Sequence, residues 1–212
     1  MPIVLDVYSL PRAERSRTRK VRNAFFDAYL AKNPDAVRVE VDLAKDYDEL
    51  PRFDEWDVQT KFEMAYGEGD LDGEMAARWD ALIRHTDKLH AANLVVVSCP
   101  MWNFSVPWHM KRWIDCVVQP KLTFEFVSGG VRGLLTGRPC VILSTRDGAY
   151  GPETPYAALD YQVPYLRTVL SFMGLGPVHE IVAEPMVMGG PEVAKAALEG
   201  AIKKAAELGA SI

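Results

Sequence analysis

Cysteine is scarce in this chain of 212 residues, where Cys99, Cys116 and Cys140 are the whole supply. The count is odd, and each lies in or beside an apolar stretch such as LVVVSC or CVIL. They therefore read as reduced core thiols and not as a disulfide framework. No CxxC pair or HExxH spacing occurs among them and the four histidines, His85, His90, His109 and His179, and no metal site is expected. Long apolar runs are missing as well. The longest, around Leu94–Val97 and Val141–Leu143, are strand-sized and far short of the roughly 20 residues that a membrane span needs. The opening MPIVLDVYSLPRAERSR lacks the basic-then-apolar order of a signal peptide, so a cytoplasmic protein is expected. Excess positive charge is also absent: 24 Lys and Arg against 29 Asp and Glu leave a net charge of −5. This disfavours general nucleic-acid binding and adhesion to anionic membranes, and any bound anion must be held by a local basic site. GxxxxGK[ST], GxGxxG and GxSxG do not occur. Their absence argues against a nucleoside triphosphate, a resident dinucleotide and a serine hydrolase.

What is present is the composition of a globular protein, 49% apolar and 25% charged, long enough for one sizeable core. Residues 1–212 are read as a single domain without repeats. Ile3–Tyr8 is a short apolar run that reads as a buried strand. From Ser16 the period changes, and Val21, Ala24, Phe25, Ala28 and Tyr29 fall at helical spacing until Asn33-Pro34. Val37–Val41 alternates as a strand near a sheet edge. Lys45–Asp72 is an acidic excursion holding Tyr47, Phe53, Trp56, Phe62 and Tyr66, with one short helix expected. It reads as a packed flap in preference to a substrate wall. A strong helix is predicted from Gly73 to about Ala92, a buried strand at Leu94–Cys99, and a helix from Pro107 to about Val118. Leu122–Gly137 reads as a loop-rich crossover and Cys140–Ser144 as a third buried strand. A helix over about Leu159–Met173, a strand at Val178–Ala183 and a helix at Pro191–Leu208 complete the pattern. Alternating elements with central strands apolar throughout mean a parallel sheet covered on both faces. Five strands fit an α/β, flavodoxin-like sheet in the order 2-1-3-4-5.

Ligands of such a sheet bind beyond the carboxyl ends of the strands, where the winding reverses. Three loops leave that edge. The first runs from Ser9 into the helix that starts near Ser16, with Arg15, Arg17, Arg19 and Lys20 at the positive end of the helix dipole. An anion held by the helix start and by the Ser9, Ser16 and Thr18 hydroxyls would account for that like charge. The alternative is a solvated basic face with Ser16 as an ordinary N-cap. The second loop, Pro100-Met101-Trp102-Asn103-Phe104, offers a platform for a flat ring and an amide at the ring's edge, or else completes the core. The third, Ser144-Thr145-Arg146-Asp147-Gly148, suits polar contacts to a heterocycle or is a plain turn. Together the three describe a mononucleotide with a flat heterocycle.

These residues carry a resemblance over nearly the whole chain. Ser9, Ser16-Arg17-Thr18, Pro100 to Phe104, Leu122-Thr123-Phe124-Glu125-Phe126, Gly133 to Gly137, Thr145 to Gly148 and Pro164 to Gly174 stand in the order found in one family. The sequence resembles the FMN-dependent NADH azoreductases, also classed as NADH:quinone oxidoreductases. The resemblance implies one FMN per subunit bound at Ser9, Ser16, Arg17, Thr18, Pro100, Met101, Trp102, Asn103, Phe104, Thr145, Arg146, Asp147 and Gly148. It implies Phe126 and Phe172 as aromatics near the ring, and a homodimer with FMN near the subunit interface. NADH would give a hydride to the flavin and leave, and a quinone or azo compound would then be reduced in its place. No protein residue is assigned as nucleophile or acid–base catalyst. Trp102 departs from a common tyrosine and Asp147 from a common glycine. The extra negative charge of Asp147 is expected to disfavour the anionic reduced flavin and to lower its potential. An electron-carrier flavoprotein is the alternative, and a receiver-type regulatory domain fits poorly, because Ser9 and Met101 stand where its acidic residues would be.

Overall fold

Val4, Leu5 and Val7, Leu94 to Val97, and Cys140 to Leu143 are all nearly or wholly sealed from solvent, which only a sheet covered on both sides achieves. The computed structural model describes residues 1–46 and 50–212, so the expected aromatic Tyr47 lies outside the described residues. The strands are β1 (Ile3–Tyr8), β2 (Val37–Asp42), β3 (Leu94–Ser98), β4 (Phe124–Val127), β5 (Gly130–Gly133), β6 (Cys140–Thr145) and β7 (Val178–Ala183). The helices are α1 (Arg17–Lys32), α2 (Glu55–Tyr66), α3 (Gly73–Ala91), α4 (Trp108–Val117), α5 (Val163–Phe172) and α6 (Gly190–Ser211). Five strands form one parallel sheet in the order β2-β1-β3-β6-β7. Counted within that sheet, this is the expected order 2-1-3-4-5.

Alternate residues of each strand face opposite layers. Val4, Leu94, Val96, Val141 and Leu143 meet α1 and α6 through Val21, Phe25, Ala201 and Ala205. Leu5, Val7, Val95, Val97 and Ile142 meet α3, α4 and α5 through Trp79, Leu82, Met110, Trp113 and Leu166. A Cβ at Gly209 would stand 2.3 Å from the carbonyl oxygen of Phe25, so only glycine permits α6 to lie this close to α1. Burial pushes the thiols of Cys99, Cys116 and Cys140 up to about 12. No helix among the described residues is long and apolar enough to cross a membrane.

Three elements differ from expectation. Leu122–Gly137 is not plain loop, because β4 and β5 within it pair as an antiparallel ribbon. The Ser128-Gly129 turn between them, with Gly129 at φ +92°, is the hairpin signal that the glycine count obscured. The helix expected from Leu159 begins only at Val163. Residues Ala157–Leu159 form a separate 3-10 turn, and the Asp160 carboxylate takes the amides of Gln162 and Val163 at 3.0 and 3.1 Å to start α5. In the excursion, α2 is a full three turns opened by an Asp54–Asp57 capping box. Arg78 of α3 holds Asp54 and Asp57 at 2.8 and 3.0 Å, but Trp56, Phe62 and Tyr66 are exposed and not packed as expected.

Asp6 is fully buried in the middle of β1, where the apolar reading of that strand foresaw no charge. Arg22 from α1 donates to both its oxygens at 3.0 and 2.5 Å, and Arg38 from β2 donates at 2.7 Å. Glu40 takes a second Arg22 bond at 2.7 Å and the Tyr8 hydroxyl at 3.0 Å. The Arg22 and Arg38 guanidinium groups lie 3.7 and 3.8 Å from the centres of the Tyr8 and Phe26 rings. Cutting one arm of a buried ion cluster leaves a desolvated charge behind. Arg22→Ala is expected to cost about 3–5 kcal/mol in urea unfolding; a loss below about 1 kcal/mol would show that water reaches Asp6 in the native state.

Candidate functional site

Beyond the strand ends the parallel pairing continues for a residue or two. Ser9 donates its amide to Ser98 at 3.0 Å, Cys99 to Leu143 at 3.1 Å, Met101 to Thr145 at 3.1 Å and Arg146 to Ala183 at 3.0 Å. The loops after β1, β3 and β6 are thereby brought together at one edge. Buried Thr18 and Thr145 hydroxyls, 127 residues apart, meet at 2.7 Å. Between these loops lies a cavity of about 160 Å³, lined by Ser16, Arg17, Thr18, Pro100, Met101, Trp102, Thr145 and Asp147. All eight were expected site residues. Leu10, Pro11, Arg12 and Met186 complete the lining and were not foreseen.

At the α1 end the chemistry favours an anion. Ser16 is the N-cap, its hydroxyl accepting the Arg19 amide at 3.3 Å. The first-turn amides have no partner within the helix, and no acidic residue occupies that turn. The expected site residue Ser9 is fully buried and is not in the cavity lining; its hydroxyl oxygen, like that of Ser98 beside it, has no hydrogen-bond partner. The basic residues divide. Arg17 donates to the Met186 carbonyl at 2.7 Å and Arg19 to the Ala13 carbonyl at 3.1 Å. Two of the four cations assigned to an anion thus fasten the loop itself, while Arg12 lines the cavity.

The second loop carries strain. Trp102 and Ser105 exchange backbone hydrogen bonds at 2.9 Å across a two-residue turn, with Asn103 at φ 46° and Phe104 at φ 69°. Asparagine tolerates that left-handed backbone; phenylalanine does not. Neither Asn103 nor Phe104, both expected site residues, is in the cavity lining to which Met101 and Trp102 contribute. Tyr161 holds the turn by donating its amide to the Phe104 carbonyl at 3.0 Å. Trp102 is backed by His109 at 6.4 Å between ring centres, and His109 stacks on Trp108 at 3.7 Å. Burial, then the nearby Arg112 charge, hold His109 below its ordinary pKa.

The third loop corrects one expectation. Arg146 does not reach the cavity. Its guanidinium is 97% buried in the opposite direction, with Asp160 at 2.9 Å, Glu184 at 3.3 Å and the Gln162 carbonyl oxygen at 3.2 Å. An arginine at a strand end reads as a ligand contact in sequence; here two carboxylates distant in sequence claim it. Gly148 is buried, and a Cβ there would press within 3.0 Å of Tyr150 and Met188. Phe126 and Phe172 are not at this cavity. They flank Phe124 at 5.6 and 4.8 Å, and Tyr66 stacks on Phe126 at 6.0 Å.

A positive helix end, an aromatic shelf and a polar far wall are what a phosphorylated flat ring requires. A family model described as the flavodoxin-like fold matches residues 3–208. The FMN-dependent NADH:quinone oxidoreductase of Nitratidesulfovibrio vulgaris is 38% identical over 207 residues, 97% of each chain. The chain belongs to this flavodoxin-like oxidoreductase family. A second relative, FMN-dependent NADH:quinone oxidoreductase 2 of Pseudomonas syringae pv. tomato, is 32% identical over 209 residues, 99% of this chain and 98% of its own. The crystal structure of an azoreductase from Bacillus anthracis superposes on this flavodoxin-like chain with a TM-score of 0.89 at 27% identity, covering 100% of both chains.

Phe104→Gly removes a side chain from a left-handed backbone position, and the variant is expected to be more stable by about 1 kcal/mol. Urea unfolding checks this. A less stable variant would mean that the edge contact with Tyr150, 6.2 Å away between ring centres, outweighs the backbone strain.

Proposed function

We propose that this chain is an FMN-dependent oxidoreductase that takes a hydride from NADH and then reduces quinones by two electrons or cleaves aromatic azo compounds reductively. The observation that carries the reading is the cavity in which the first turn of α1, free of acidic residues, faces the Met101–Trp102 shelf and the Thr145–Asp147 wall. The residues present fit the group. Ser9, Ser16, Arg17 and Thr18 hold the phosphate through hydroxyls and amides. Pro100, Met101 and Trp102 support the ring, Asn103 and Phe104 border it from the strained turn, and Thr145, Asp147 and Gly148 form its polar wall. Arg146 joins that wall only through its backbone. Bound FMN supplies the hydride acceptance and donation. What the protein adds is binding, orientation and exclusion of water, so no side chain is assigned as a catalytic acid or base.

Phe126 and Phe172 support a homodimer. Helix α5 starts beside the site, where Gln162 donates to the Cys99 carbonyl at 3.3 Å, and its ten residues carry Phe172 about 15 Å away. Phe126 and Phe172 are 53% and 39% exposed, which suits aromatics that roof the ring of a second copy. Residues 1–212 act as one domain, and buried reduced cysteines suit a cytoplasmic location.

The test is an anaerobic visible spectrum of the protein loaded with FMN, with sedimentation to give its mass. Bleaching by NADH, recovery on adding p-benzoquinone and a mass twice that of one chain are expected. Bound flavin indifferent to NADH and NADPH would turn the reading to an electron carrier, and no flavin binding would refute it. Asp147→Gly is expected to raise the flavin midpoint potential, because it removes a negative charge from the ring's wall. An unchanged potential in a spectroelectrochemical titration would place the Asp147 carboxylate out of electrostatic reach.

A further inference from the structure

Arg146 sits between two residues that line the cavity, Thr145 and Asp147, yet its own side chain points into the protein. Its fork reaches three separate segments: it donates to Gln162 at the start of α5 and to Glu184 after β7, and its Nη2, which makes no hydrogen bond, forms an ion pair with Asp160 before α5 at 2.9 Å. Gln162 is fully buried. Its side-chain carbonyl accepts the Ser144 hydroxyl at 2.8 Å as well as Arg146 Nε, and its amide nitrogen donates to the Cys99 carbonyl at 3.3 Å. Cys99 directly precedes Pro100 and Met101 of the ring shelf. Glu184 in turn accepts the Tyr150 amide at 3.0 Å. The Asp147 carbonyl takes the amides of Val187 and Met188, both at 3.0 Å, beside the cavity-lining Met186. One guanidinium and one carboxamide therefore tie together the shelf after β3, the polar wall after β6 and the loop after β7.

We propose that Arg146 and Gln162 are a positioning pair for the bound ring, an assignment that rests on the FMN reading above. Neither touches the ring. Together they set the distance between the Met101–Trp102 shelf and the Thr145–Asp147 wall, and so the width of the slot. A planar fork is required for this, because a lysine ammonium at position 146 cannot span the Gln162 and Glu184 acceptors and the Asp160 charge, which lie in different directions. The side chains of the pair hold the shelf and the wall. The α1 start is tied to this region through backbone, the Arg146 carbonyl accepting the Met186 amide at 2.8 Å and the Met186 carbonyl the Arg17 guanidinium at 2.7 Å. Loss of the pair is therefore felt first by the ring.

The experiment compares apoprotein affinities for FMN and for riboflavin, read by flavin fluorescence quenching, with the visible circular dichroism of the bound flavin. The variants are Arg146→Lys, Gln162→Leu and, as a control, Arg22→Lys in the buried ion cluster at the β2 margin, none of whose members Asp6, Arg22, Arg38 and Glu40 lines the cavity. Arg146→Lys is expected to weaken both flavins by about tenfold and to alter the dichroism band, since small displacements of a preorganised wall cost this much or more. Gln162→Leu, neutral and similar in volume, follows it in the same direction and keeps the test open if the lysine variant does not fold. Arg22→Lys lowers the melting temperature while both affinities stay within twofold. The proposal is overturned if Arg146→Lys and Gln162→Leu lower only the melting temperature, or if FMN alone is weakened. It is overturned too if Arg22→Lys weakens the flavins as much. Failure of the unmodified protein to bind either flavin would instead sink the FMN reading itself.

Discussion

The parallel pairing of β1 with β3 is the constraint from which the site follows. After β1 the chain crosses through α1 to β2 at the edge, and then returns past β1 to lay down β3. The loop after β1 therefore leaves toward the α1–α6 face, and the loop after β3 leaves toward the α3–α4–α5 face. Two adjacent parallel strands whose loops depart in opposite directions leave a crevice between them. The register, with Tyr8 beside Ser98, puts Ser9 at the start of one loop level with Cys99 at the start of the other. A helix start free of acidic residues and an aromatic shelf then face one another without any special device.

Burial gives the sheet its stability but leaves its two margins to be fastened, and the chain uses arginine at both. At the β2 margin, Arg22 and Arg38 hold Asp6 and Glu40. At the β7 margin, Arg146 holds Asp160 and Glu184. Each guanidinium has too many donors for a single carboxylate, which is why each joins more than one segment. The same economy governs the first loop, where Arg17 and Arg19 spend hydrogen bonds on backbone carbonyls. Positive charge near the cavity is thus partly scaffold, and the anion-binding character falls to the helix start, the small hydroxyls and Arg12.

Much of this was legible in the residues. The strands at Ile3–Tyr8 and Val178–Ala183 matched to the residue, because branched apolar runs bounded by turn residues have one stable reading in a covered sheet. The eight expected residues that line the cavity were legible because they sit at the ends of β3 and β6 or at the start of the helix that the loop after β1 enters, positions that topology gathers at one edge. The β4–β5 ribbon was missed because its four-residue strands are too short for alternation to stand out. Asp6 was missed because a lone carboxylate within an apolar run carries no local sign of the two arginines that reach it. Arg12, Met186 and Gln162 had no local signal at all.

By itself the sequence determined the alternation of strands and helices, which follows from short-range periodicity; the order of the sheet, and with it the edge at which chemistry gathers, came from fitting five alternating strands to a known order. Only the tertiary structure decided where the side chains at that edge point. Arg146 turns inward because Glu184, 38 residues on, and Gln162, 16 residues on, lie behind it. Phe126 and Phe172 stand apart from their own cavity because α5 runs away from it. Such directions are set by pairs that meet across the fold, and no window of neighbouring residues contains them.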